Sequence, residues 1–169
     1  MKKICILGIL CLAILSAAGC KKKYVSPLET PNVTLAPEDK PYEFDFDQMN
    51  NDVIDSLQDE EIFGFVKELD VSGNNESKEI VLNVDIVENV SRDAIEYMLT
   101  EATRVIVDAA VTQDFRITSY TSEGFGNLFE KYAYKYKVTC GNEVLVDQVI
   151  EIGDSVPFDP SLTLENVTG

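Results

Sequence analysis

The chain has 169 residues, 45% hydrophobic and 26% charged, a composition that suits one modest globular domain and argues against a disordered chain. Its formal charge is −16, but five of its 14 basic residues lie in the first 23, which hold no acid, so residues 24–169 carry nine basic against 30 acidic side chains, a formal −21. A body that negative repels phosphate backbones, which argues against nucleic acid as a partner, and it suits either plain solubility or a cationic or basic partner. The absence of histidine excludes His-based triads, Cys-His pairs and His-containing metal sites.

In chain order, the first element is "MKKICILGILCLAILSAAGC". Lys2 and Lys3 form a basic head, an uncharged apolar run extends from Ile4 to Leu15, and small residues follow. This is the organisation of a secretory signal, shorter than the roughly 20 apolar residues of a bilayer span. Ala17, Ala18 and Gly19 immediately before Cys20 resemble the lipobox of bacterial lipoproteins, with Ala17 standing where that family usually has leucine. The resemblance covers residues 1–20 only. It implies a signal peptide over residues 1–19, a diacylglyceryl group on the Cys20 sulfur, Cys20 as the mature N-terminus, and a protein held on the extracytoplasmic face of the cell envelope. Ordinary cleavage after Ala18 or Gly19 is the competing expectation. Two or more acyl chains make a stable anchor where one is marginal. Lys21, Lys22 and Lys23 would then lie at the headgroup level or act as a simple solubilising flank.

Residues 20–43 read as the lipidated cysteine and a tether, because four of the six prolines, Pro27, Pro31, Pro37 and Pro41, remove backbone donors and forbid continuous helix or central strand. Residues 44–169 read as a single acidic α+β domain. "DFDQMNNDVIDSLQDEE" predicts a short helix capped by Asp47, with Met49, Val53, Ile54 and Leu57 as its apolar residues. "IFGFVKELDV" and "KEIVLNVDIV" predict two strands joined by a turn in "SGNNES", residues 72–77, with Ile80, Leu82, Val84 and Ile86 facing the core. Residues 91–113 give the strongest helix pattern: Ser91 as cap, Asp93 in the first turn, and Ala94, Ile95, Met98, Leu99, Ala102, Val105, Ile106 and Ala109 at spacings of three and four. Three strands are expected to follow: one from Phe115, one over "LFEKYAYKYKVTC" after a turn at Gly124 and Gly126, and one over "EVLVDQVIEIG" after the Gly141–Asn142 hairpin. The tail, with Pro157 and Pro160, is expected to lie along the surface. The expected fold is an α+β domain with an antiparallel sheet of about five strands, one long helix across one face and a short N-terminal helix.

The candidate ligand platform is Tyr132, Tyr134 and Tyr136, which share one face of a strand with Val138 while Lys131, Lys135 and Lys137 share the other. Exposed, the rings would stack on a sugar or peptide; buried, they are large members of a sheet face, the reading favoured by Val138 and by acidic neighbours for the lysines. Asp45, Asp47, Asn50 and Asp52 fail the calcium-loop pattern, which has Gly at the sixth position and Glu at the twelfth where this chain has Asn50 and Ser56. Gly124 and Gly126 are too few for a phosphate loop, and Cys140 has no histidine to serve as its base. No cofactor, metal or catalytic group assembles from the pattern. The expected function is a non-enzymatic envelope lipoprotein whose domain binds or scaffolds an envelope protein or glycan. The alternatives are a carboxylate-dependent hydrolase acting on envelope polysaccharide and a homo-oligomer pairing strand edges.

Overall fold

The computed structural model describes residues 40–87 and 90–168; the signal segment, Cys20 and the tether through residue 39 lie outside the described residues. The chain divides after Lys40, and every element below belongs to the unit Pro41–Gly169. Helix α1 (Phe46–Ser56) is capped by Asp45, two residues ahead of the expected Asp47, which instead lies in the first turn against the positive end of the helix dipole. Helix α2 (Glu60–Phe63) takes Ile62 and Phe63 out of the expected first strand, because the Asp59 carboxylate accepts from the Glu61 amide and caps a single turn. Strand β1 (Val66–Asn74) therefore starts late, and the turn into β2 (Glu79–Ile86) falls after Asn74, whose side chain accepts from the Glu76 and Ser77 amides.

Helix α3 (Arg92–Gln113) runs as its pattern predicts, with the Ser91 hydroxyl accepting from the Ala94 amide. At 22 residues it is about 33 Å long, enough to return the chain across the sheet. A connection containing a single 3-10 turn (Leu128–Glu130) leads to β3 (Ala133–Cys140) and β4 (Glu143–Ile150), and the tail ends in α4 (Leu164–Thr168). Gly141 joins β3 to β4 at φ 61°, a conformation that favours glycine in a tight hairpin.

The sheet has four strands in the order β1-β2-β3-β4, and its central pair β2/β3 is parallel while both outer pairs are antiparallel. The expectation of about five strands, all antiparallel, is thus corrected. The parallel pair follows from the long helix, which carries the chain back to the end of the sheet where β2 began. The missing strand is the segment from Phe115. Ile117 is buried there in the main core, while Asn127 accepts from the Thr118 amide at 2.8 Å and donates to the Arg116 carbonyl at 3.1 Å. A side chain has taken the place of a strand neighbour. Gly126 belongs to the same fold-back, at φ 69° with its Cα so close to the Thr118 carbonyl that an added Cβ would lie 2.0 Å from that oxygen. Farther on, Leu128 and Phe129 are both buried, which strand alternation forbids and a 3-10 turn permits.

The core lies between one face of the sheet and the helices. Ile80, Leu82, Val84 and Ile86 of β2 face it as expected, each no more than 2% exposed, and Tyr134 and Val138 of β3 are fully buried beside them. Each such aliphatic burial contributes about 1.5–3 kcal/mol. Helix α1 packs on α3 and on β1, where the Asn50 side chain accepts from the Val71 amide at 2.8 Å. The tail lies over α3, held by the Arg104 guanidinium, which donates to the Pro160 and Leu162 carbonyls at 2.7 and 2.6 Å and pairs with Glu101. The N-terminal end of the unit is held by two side-chain amides. Asn75 accepts from the Phe44 amide and donates to the Phe44 carbonyl, both at 2.9 Å, and Gln113 makes the same pair of bonds with Asp45.

Helix and sheet meet at a buried hydroxyl pair. Thr103 Oγ1 donates to the Leu99 carbonyl at 2.7 Å, so the Tyr134 hydroxyl at 3.1 Å is the donor to Thr103. Thr103→Val strands that phenol in the core and is expected to cost about 1–3 kcal/mol, whereas Tyr134→Phe leaves Thr103 its carbonyl partner and costs about 1 kcal/mol. Urea denaturation of both variants and the double variant checks this: the double variant should be no less stable than Thr103→Val alone.

Candidate functional site

One concavity is lined by residues from three separated stretches and by a tyrosine of β3. Ile95, Glu96 and Leu99 lie on the first turns of α3, Leu145 to Gln148 on β4, and Pro157 and Phe158 on the tail; Tyr136 of β3 also lines the cleft, whose volume is about 840 Å³. That volume lies within the usual range of small-ligand sites. Helix α1 packs against β1, at the far edge of the sheet from the cleft. On the helix-side face of β4, Ile150 is buried, Val146 half-buried and Gln148 exposed. Ile95 and Leu99 make one wall apolar, and Phe158 meets the Tyr136 ring at a centroid distance of 5.0 Å. Arg92, Glu96 and Gln148 supply polar groups, and Asp147 borders the cleft from β4.

The three tyrosines differ in what their hydroxyls find. The Tyr132 hydroxyl lies 2.7 Å from Asn75 Oδ1 and 3.0 Å from the Tyr42 carbonyl, and accepts from Lys78 Nζ at 3.1 Å. Tyr134 has Thr103. Tyr136 is only 4% exposed, and its hydroxyl has no protein partner among the described residues and is not sealed from solvent. Of the two readings of the candidate platform Tyr132, Tyr134 and Tyr136, the exposed stacking surface does not match the structure, and the buried face does. Tyr132 and Tyr134 are core side chains packed on Phe44 and Phe129, and Tyr136 offers a ligand its edge and hydroxyl from within the cleft.

On the open face of the sheet, Lys135 pairs with Glu79 across β2/β3 at 2.8 Å, as the sequence suggests for these lysines. Lys67 pairs with Asp85 at 2.6 Å. The Asp85 carboxylate also accepts from Thr139 and from the Gly141 amide, and the hydrogen bond from Lys67 is the chief cause holding it below the usual carboxylate range. A second concavity of about 360 Å³, lined by Glu68, Asp70, Asn83, Asp85 and Lys137, lies on this face, but Asp85 has its acceptor capacity committed within the fold. Asp45 and Asn50, from the acidic run, are likewise committed, to the α1 cap and to β1. Cys140 is a half-exposed free thiol at the end of β3, and Lys131 pairs loosely with Glu130. Among the described residues no helix is long and apolar enough to cross a membrane.

No protein-family model, no curated protein and no solved structure matches the chain. Sequence reasoning reached Tyr136 but missed the rest of the cleft. One signal was available in "EVLVDQVIEIG", where apolar residues fall on both faces of the strand although its sheet covers only one.

Burial pushes the Tyr132 phenol up to about 12 and raises Tyr134 and Tyr136 as well. In the unfolded chain a tyrosine ionises near 10, so between about pH 10 and 12 the unfolded state sheds a proton that the folded state keeps. The stabilising contribution of Tyr132 is thus complete below pH 10 and is lost as pH rises toward 12. Urea midpoints measured across that interval should fall steeply for the native protein and less steeply for Tyr132→Phe, with tyrosinate absorbance reporting the same transition.

Proposed function

We propose that the chain is a bacterial cell-envelope lipoprotein, held on the extracytoplasmic face through a diacylglyceryl group on Cys20, whose acidic α+β domain is a binding module rather than an enzyme. The observation that carries the binding reading is the cleft of about 840 Å³ beside Tyr136, whose apolar wall of Ile95, Leu99 and Phe158 is joined by polar side chains and by a Tyr136 hydroxyl without a protein partner among the described residues. A concavity of this volume with a mixed apolar and polar lining has the form of a small-ligand site. The anchor rests on the lipobox-like residues Ala17 to Cys20 and on the basic, apolar, small-residue order before them. A strongly acidic body has little affinity of its own for anionic lipid, so membrane residence falls to the lipid.

Metabolic labelling with a clickable fatty acid tests the anchor. The native protein should take up label and fractionate with membranes, and Cys20→Ala should do neither. An unlabelled native protein in the medium would replace this reading with plain secretion.

A further inference from the structure

The two edges of the sheet are treated differently. At β1 the edge is closed: α1 packs against it, the Asn50 side chain accepts from the Val71 amide, and the register breaks between Val66 and Glu68. At β4 no described residue bonds to the outward backbone groups of Val146 to Ile150. A bulge at Leu145 interrupts the pairing near the hairpin and leaves Val146–Ile150 as the regular stretch. Natural sheets protect such an edge with lysine, proline or a covering element; β4 carries no lysine or proline, and no described residue pairs with its outer edge. Val149 is instead 47% exposed, with Leu145 and Val144 exposed beside it.

The charge of that edge selects its partner. Glu143, Asp147, Glu151 and Asp154 recur along β4 and the residues just after it, without a single lysine or arginine between 143 and 154. A second copy pairing antiparallel on β4 would bring acid against acid and one formal −21 body against another, which opposes self-pairing. An extended segment with basic residues has the complementary charge.

Edge and cleft are continuous, because Val146 and Gln148 point to the helix side of β4 and line the cleft. A strand added to β4 would send alternate side chains into the cleft, over Ile95, Leu99 and Phe158 and within reach of the Tyr136 hydroxyl, and the others toward Val149 and Asp147. We infer that β4 is a strand-addition site for an extended peptide segment of a partner protein, alternating apolar residues that enter the cleft with basic residues that meet the acids of the edge. Backbone pairing supplies affinity in such a mode and the cleft supplies selectivity. The inference rests on the binding-module reading and specifies its partner.

The test uses the purified full chain in mild detergent and a blocked nonapeptide alternating valine with lysine or threonine. A second peptide of the same sequence carries N-methyl groups on alternate amides, which keeps charge and side chains and removes the ladder. The expected result is binding of the first peptide, at least about tenfold weaker binding of the methylated one and a comparable loss in Val149→Lys, whose thermal midpoint should stay near that of the native protein. Amide signals of Val146–Ile150 should shift and gain exchange protection. Equal binding of the two peptides would reduce the effect to bulk charge and overturn the inference, as would shifts confined to β1 or the open face. Light scattering that showed dimers broken by Val149→Lys would assign the edge to a second copy instead. Chitotetraose occupying the cleft in the absence of peptide binding would overturn strand addition while leaving the binding-module reading intact; silence from both probes would remove both.

Discussion

Burying three phenols on one strand face is the constraint around which this domain is arranged. Tyr132, just before β3, and Tyr134 and Tyr136 on it bring large rings into the core, and each hydroxyl must either find a partner or keep contact with water, since an orphaned buried one costs about 1–3 kcal/mol. Tyr132 is met by Asn75 and the N-terminal segment, Tyr134 by Thr103 of the long helix, and Tyr136 by the opening beside β4. The three solutions recruit three different parts of the chain. They account for why the N-terminal segment is stitched to the β1–β2 turn, why a threonine sits in the buried stripe of α3, and why the sheet is left uncovered at one place.

The uncovered place also follows from the count of layers. Two helices serve a sheet of four strands, and α1 is drawn to the β1 edge by its contacts with Val71. Coverage is therefore lopsided, and the tail, tied down by Arg104, closes only one end of the gap. Cleft and open edge adjoin on the same strand, β4. Strand addition and ligand enclosure are two uses of that strand.

Much of the secondary structure was legible because it is local. Ser91 and the three-and-four spacing of residues 94–109 define α3, the alternation of residues 80–87 defines the faces of β2, and Gly141–Asn142 defines the last hairpin. The burial of the tyrosine face was legible too, through Val138 on the tyrosine side. What escaped depends on distant partners. The segment from Phe115 has enough β-forming residues for a strand, but Asn127 supplies its hydrogen bonds from nine residues beyond Thr118. Asp45 prevailed over Asp47 as a cap because Gln113 fixes its backbone from the far end of α3. The cleft joins three stretches spread over more than sixty positions, and no spacing rule connects Leu99 to Gln148 or Phe158.

The paired amide bonds of Asn75 with Phe44 and of Gln113 with Asp45 have a mechanical meaning. Each side chain imitates the donor-and-acceptor pattern of a neighbouring strand, so the entering segment is gripped at two consecutive residues without being part of any sheet. One grip belongs to the β1–β2 turn and the other to the last residue of the long helix. A pull on this segment therefore loads the β1–β2 turn and the end of the long helix together.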